Sequence, residues 1–71
     1  MNLNITQDNL YLLLPGKTSR MAQMYAHRYS VSIVEALKRV YNSAVYQELE
    51  QEDTKLWHDG PVALFEDMMA E

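Results

Sequence analysis

The spacing of apolar positions divides the chain into short helical stretches separated by polar or proline-containing breaks. The firmest pattern is Ile33, Ala36, Leu37, Val40, Tyr41 and Ala44, which recur at three- and four-residue intervals and trace one helical face, with Lys38 and Arg39 opposite. Ser32 and Glu35 open that helix as a capping box: the serine hydroxyl accepts from an early helix amide and the glutamate reaches back. Val31 and Ala36 stand at the positions of a hydrophobic staple. Upstream, Met21, Met24, Tyr25 and Arg28 share a face of a helix expected over residues 18–29, with Thr18 or Ser19 as its cap. Downstream, Asn42 and Ser43 favour caps and predict a kink or a new helix start at Ser43. Val45, Tyr46 and Leu49 then pack, leaving Gln47, Glu48, Glu50 and Gln51 in water. Residues 54–57 suit one helical turn that returns Leu56 and Trp57 to the core. Pro61, preceded by Asp59 and Gly60, suits the first position of a last helix. Its apolar face is Val62, Leu64, Phe65, Met68 and Met69, with Glu66 and Asp67 outside.

Residues 1–14 read less simply. Leu3 and Ile5 alternate with Asn2 and Asn4, as in a strand, but a single strand needs a partner in another chain. A short helix capped by Thr6 or Asp8 and running through Leu13 is the preferred reading. Pro15 disfavours a helical conformation at Leu14, so that helix is expected to end there, with Pro15-Gly16 as a turn. The apolar residues Leu10, Leu12, Leu13 and Leu14 are then expected to be buried, in this chain or in a neighbour. The fold expected is all-α, a small bundle of three to five short helices, with residues 1–14 as a possible dimerisation element and 15–71 as one helical domain.

Size sharpens the expectation of a partner. A chain of 71 residues is near the limit at which one core suffices, and such cores rarely supply more than ~3–5 kcal/mol. With no cysteine, disulfides and thiolate metal sites are excluded. Oligomerisation is therefore the expected stabiliser. Residues 40–64 hold the only tryptophan together with Tyr41 and Tyr46, with Tyr29 just upstream, so the core is expected to close there around Trp57. No segment has the ~18 apolar residues that span a bilayer. Residues 10–14 are too short for a signal-peptide core and follow no basic region. A cytoplasmic protein without membrane association is expected.

Charge is uneven along the chain. Residues 1–40 carry five basic and two acidic side chains, and residues 41–71 carry one basic and eight acidic, for a net charge of −4. Such asymmetry marks either a charged partner surface or two halves that attract each other. Little in the chain suggests catalysis. Gly16-Lys17-Thr18 lacks the first glycine and the preceding strand of a phosphate-binding loop. His27 has no metal-ligand neighbour, and His58-Asp59 has no nucleophile beside it. The acidic run at residues 48–53 lacks the alternation and central glycine of a calcium loop. Neither enzyme activity nor a cofactor or metal is expected.

The pattern Tyr41-Asn42-Ser43-x-x-Tyr46-x-x-Leu49, followed by Thr54-Lys55-Leu56-Trp57 and Pro61-x-x-Leu64, resembles a family of short, uncharacterised bacterial helical proteins with no established activity. The resemblance covers about the last 40 residues. It implies membership of a toxin–antitoxin-like or other paired regulatory system. The same positions read physically as core (Tyr41, Tyr46, Leu49, Leu56, Trp57, Leu64) and helix starts (Ser43, Thr54, Pro61). The expected function is a protein-interaction module without catalytic activity, its partner itself as a dimer or a second protein. Leu10, Leu12, Leu13, Leu14, Arg20, Lys38 and Arg39 are the candidate interaction residues. The alternative is a helix-turn-helix DNA-binding regulator using the basic residues Arg20, Arg28, Lys38 and Arg39. Net negative charge disfavours it, because phosphate contacts dominate DNA affinity.

Overall fold

The computed structural model describes residues 5–71, so the strand reading of Leu3 with Asn2 and Asn4 lies outside the described residues. The architecture is all-α. Among the described residues there are four α-helices, α1 (Leu14–Tyr29), α2 (Ile33–Tyr41), α3 (Ala44–Leu49) and α4 (Pro61–Met69), the first three joined by short connections. Single 3-10 turns stand at Leu10–Leu12, Glu52–Thr54 and Leu56–His58. The α1–α2 hairpin is the main contact, and α4 packs against α1.

The longest helix begins four residues before the expected start. Pro15 lies in the first turn of α1, where a missing amide hydrogen costs nothing because that group has no intrahelical acceptor. Pro15-Gly16 is therefore a helix start and not a separating turn, and α1 crosses the expected boundary between residues 14 and 15. Thr18 does not cap. It sits one turn inside α1, fully buried, and its hydroxyl donates to the Leu14 and Pro15 carbonyls at 3.0 and 3.2 Å. Ahead of α1, neither Thr6 nor Asp8 caps a helix through Leu13. Instead Asn9 Oδ1 accepts from the Thr6 amide at 2.8 Å, and a 3-10 turn leads directly into α1.

The remaining helix starts follow the sequence closely. The Ser32 Oγ accepts from the Glu35 amide at 3.1 Å, and Ser43 Oγ accepts from the Tyr46 amide at the same distance. Gly60 precedes Pro61, the first residue of α4. Thr54 ends a 3-10 turn rather than starting a helix, its hydroxyl donating to the Glu48 and Gln51 carbonyls.

The core is aliphatic and sulfur-rich. Leu10, Met21, Ala22, Ala36, Val40, Leu49, Leu64 and Met68 are essentially inaccessible, with Leu14, Val45 and Phe65 nearly so. Trp57 does not close it. The indole is half-buried against the core's edge, stacked on His58 at 4.0 Å, with its Nε1 donating to the Glu52 carbonyl at 2.9 Å. The expected inward face of α2 is also only partly buried: Ala36 and Val40 are in the core, but Ile33, Tyr41 and Ala44 are exposed. Val62 at the start of α4 is exposed as well. Each stands at or next to the end of a short helix.

Candidate functional site: a tyrosine-lined groove

The N-terminal segment is drawn across the far end of α3 by one side chain. Gln7 Nε2 donates to the Glu50 carbonyl at 2.8 Å, and Gln7 Oε1 accepts from the Glu52 amide at 2.8 Å. This pair of hydrogen bonds reads the backbone as a neighbouring peptide would. Beyond the following 3-10 turn lies an open groove of about 300 Å³, lined by Tyr11, Leu14, Pro15, Thr18, Tyr41 and Tyr46. Tyr41 and Tyr46 meet edge to face, with ring centroids 4.9 Å apart at 87°, a preferred arrangement for aromatic quadrupoles. Tyr11 and Tyr41 are 66% and 48% exposed, so both rings are open to a ligand. Burial first, and then the Glu50 carboxylate and Tyr41, pushes the Tyr46 phenol above its ordinary value. Tyr46 therefore keeps its proton, and can donate a hydrogen bond, throughout the neutral range.

The seven residues singled out from the sequence separate into two kinds. Leu10 and Leu14 belong to the chain's own core, and Leu13 packs against it. That corrects the expectation of an apolar segment set apart by Pro15: helix α1 carries Leu14 into the core directly. Only Leu12 of the four leucines is exposed, at 65%, beside Tyr11. Arg20 and Lys38 are exposed. Arg39 is half-buried and tied to the end of the chain, with Nη2 donating to the Met68 carbonyl at 3.4 Å and Nη1 4.0 Å from Glu71 Oε1. The expected attraction between the basic and acidic halves thus operates within the molecule at this point. Lys17 adds a second link, donating from Nζ to the Asp59 carbonyl at 2.8 Å.

Other chemistry is not assembled. Lys17 and Thr18 are engaged by internal carbonyls, so neither is presented to a phosphate. His58 stacks on Trp57, and His27 is an exposed residue of α1. Among the described residues no group of His, Asp or Glu is disposed to hold a metal ion, and no helix is long and apolar enough to cross a membrane. The tyrosines of the groove escaped the sequence reading, which placed Tyr41 and Tyr46 in the core. Their juxtaposition with Tyr11 joins segments about 30 residues apart in the chain, which no local pattern announces.

Comparison with protein-family models, curated proteins and solved structures finds no match to this chain.

Proposed function

We propose that the chain is a non-catalytic protein-interaction module of the cytoplasm, one component of a paired regulatory system, and that it docks its partner in the tyrosine groove. The observation that carries this reading is the concave site itself, with three tyrosines along its walls, two of them exposed. Tyrosine is enriched in interfaces because it brings a large apolar surface, few rotatable bonds and a polar tip. Tyr41 and Tyr46, part of the signature that resembles short, uncharacterised bacterial helical proteins, line the groove. Burial of Leu10 and Leu14 in the chain's own core leaves less apolar surface for a symmetric dimer to cover, so a second protein is the favoured partner.

A photo-crosslinking amino acid in place of Tyr11 tests the proposal in extract of the source organism. The same amino acid in place of Gln23, an exposed residue of α1, serves as control. A discrete adduct from position 11 alone supports the groove as the docking surface. An adduct at twice the chain mass makes a second copy the occupant. Identical adducts from both positions, or none from position 11, overturn it.

A further inference from the structure

The residues that line the groove carry no charged side chain. Glu50 caps α3 one turn beyond Tyr46, with its amide bonded to the Tyr46 carbonyl at 3.1 Å, so the two side chains lie on the same helical face. Gln7 holds the backbone of Glu50 and Glu52 against the segment that carries Tyr11. Among the described residues no ion pair engages Glu48, Glu50 or Asp53. Elsewhere the molecule already places cations over aromatic rings, Arg28 over Phe65 at 5.9 Å and Lys55 over Trp57 at 5.8 Å. Among the described residues none stands over Tyr11, Tyr41 or Tyr46.

We infer that the groove receives an arginine side chain from a basic segment of the partner protein, its guanidinium lying on the tyrosine rings with Glu50 as the counter-charge. The inference rests on the interaction reading above and names the chemistry of the partner. Arginine fits better than lysine on physical grounds. Its planar, weakly hydrated cation stacks on aromatic faces and still donates to a carboxylate in plane. A lysine ammonium must give up a tightly held hydration shell to do the same. A groove of about 300 Å³ accommodates one such side chain with part of its flanking backbone. The excess of acidic side chains over residues 41–71, eight against one basic, favours a basic segment as the occupant, and salt weakens that attraction.

The test uses the full-length, isotopically labelled chain and a short arginine-containing peptide, followed by amide and tyrosine-ring resonances. Three companion peptides replace the arginine by lysine, by the neutral isostere citrulline, or by glutamate. Shifts confined to residues around Tyr11, Tyr41, Tyr46 and Glu50 are expected, with arginine binding more tightly than lysine, lysine more tightly than citrulline, and the glutamate peptide not binding. Removing one exposed ring in Tyr11→Leu should weaken arginine binding about two- to fivefold, while Tyr11→Phe retains it. Glu50→Gln should weaken it further and flatten its salt dependence. Because Tyr11 is largely exposed, both Tyr11 variants keep the fold, which their spectra verify. Equal binding of the arginine and citrulline peptides, shifts on another face, or no binding by any peptide overturns the inference. If position 11 still yields a discrete protein adduct in that case, the groove docks its partner by apolar contact and only the arginine assignment is lost.

Discussion

Two corners of this molecule use the same device and differ in what surrounds it. At the α1–α2 corner the chain leaves α1 through Ser30, in the left-handed region at φ 53°, and enters α2 through the Ser32 cap. Tyr29, Val31, Ile33 and Val34 all stand exposed around that cap. At the α2–α3 corner Ser43 caps α3 with the same 3.1 Å bond but is completely buried, and its hydroxyl also donates to the Val40 carbonyl at 2.6 Å. The Glu71 carboxylate closes over it, accepting from the Ala44 and Val45 amides at 3.1 and 3.0 Å. Water replaces a lost partner more readily at the first corner than at the second, where the Ser43 hydroxyl is buried. Identical capping geometry should therefore have unequal worth.

The largest expected effect follows from breaking the buried corner. Ser43→Ala leaves the part-buried Tyr46 amide without its acceptor and removes a buried hydroxyl, and should cost ~2 kcal/mol, the upper range for a cap. Urea unfolding at unchanged slope would register it as a lower midpoint. Glu71→Ala removes a charged acceptor from the start of α3 and should cost ~1 kcal/mol, with Glu71→Gln milder because one oxygen remains. Thermal melts of the two variants should rank in that order. At the open corner, Ser32→Ala should cost only ~0.5–1 kcal/mol. If Ser32→Ala and Ser43→Ala prove equally costly in the same denaturation series, burial does not distinguish the corners. The smallest effect has the opposite sign. Ser30→Gly relieves a left-handed residue that carries a Cβ, and should raise stability by ~0.5 kcal/mol in a calorimetric scan.

Both corners were legible in the sequence because a cap is a local event. Ser32 with Glu35 and Ser43 after Asn42 each predict a helix start within one residue of its place, and Pro61 does the same for α4. Pro15 was not legible because two rules compete at a proline. It disfavours a helix before it and suits the first turn of a helix that it enters, and only the packing of Leu10 and Leu14 on the core decides between them. Trp57 misled for another reason. Its size suggests burial, whereas the Nε1 bond to the Glu52 carbonyl holds the ring at the edge of the fold. Periodicity likewise groups Ile33 and Tyr41 with Ala36 and Val40, but says nothing of how far along α2 the neighbouring helix extends. The groove lay furthest from view, since its walls join residues 11–18 to Tyr41 and Tyr46, far apart in the sequence.

The short helix α3 carries a consequence for the order in which the molecule assembles. Six residues cannot hold a helix alone, because the nucleating turn costs more than so few bonds return. Its first turn is closed by Glu71 and the turn after it by Gln7, side chains that lie 27 and 45 residues away along the chain from the amides they cap. The α1–α2 hairpin needs only neighbours in sequence, so it can form while both ends are still free. Helix α3 is therefore expected to join the native structure late, with mutations in it accelerating unfolding and leaving the refolding rate nearly unchanged. Stopped-flow refolding of Ser43→Ala checks this: a refolding rate that falls in proportion to the lost stability would place α3 in the nucleus instead.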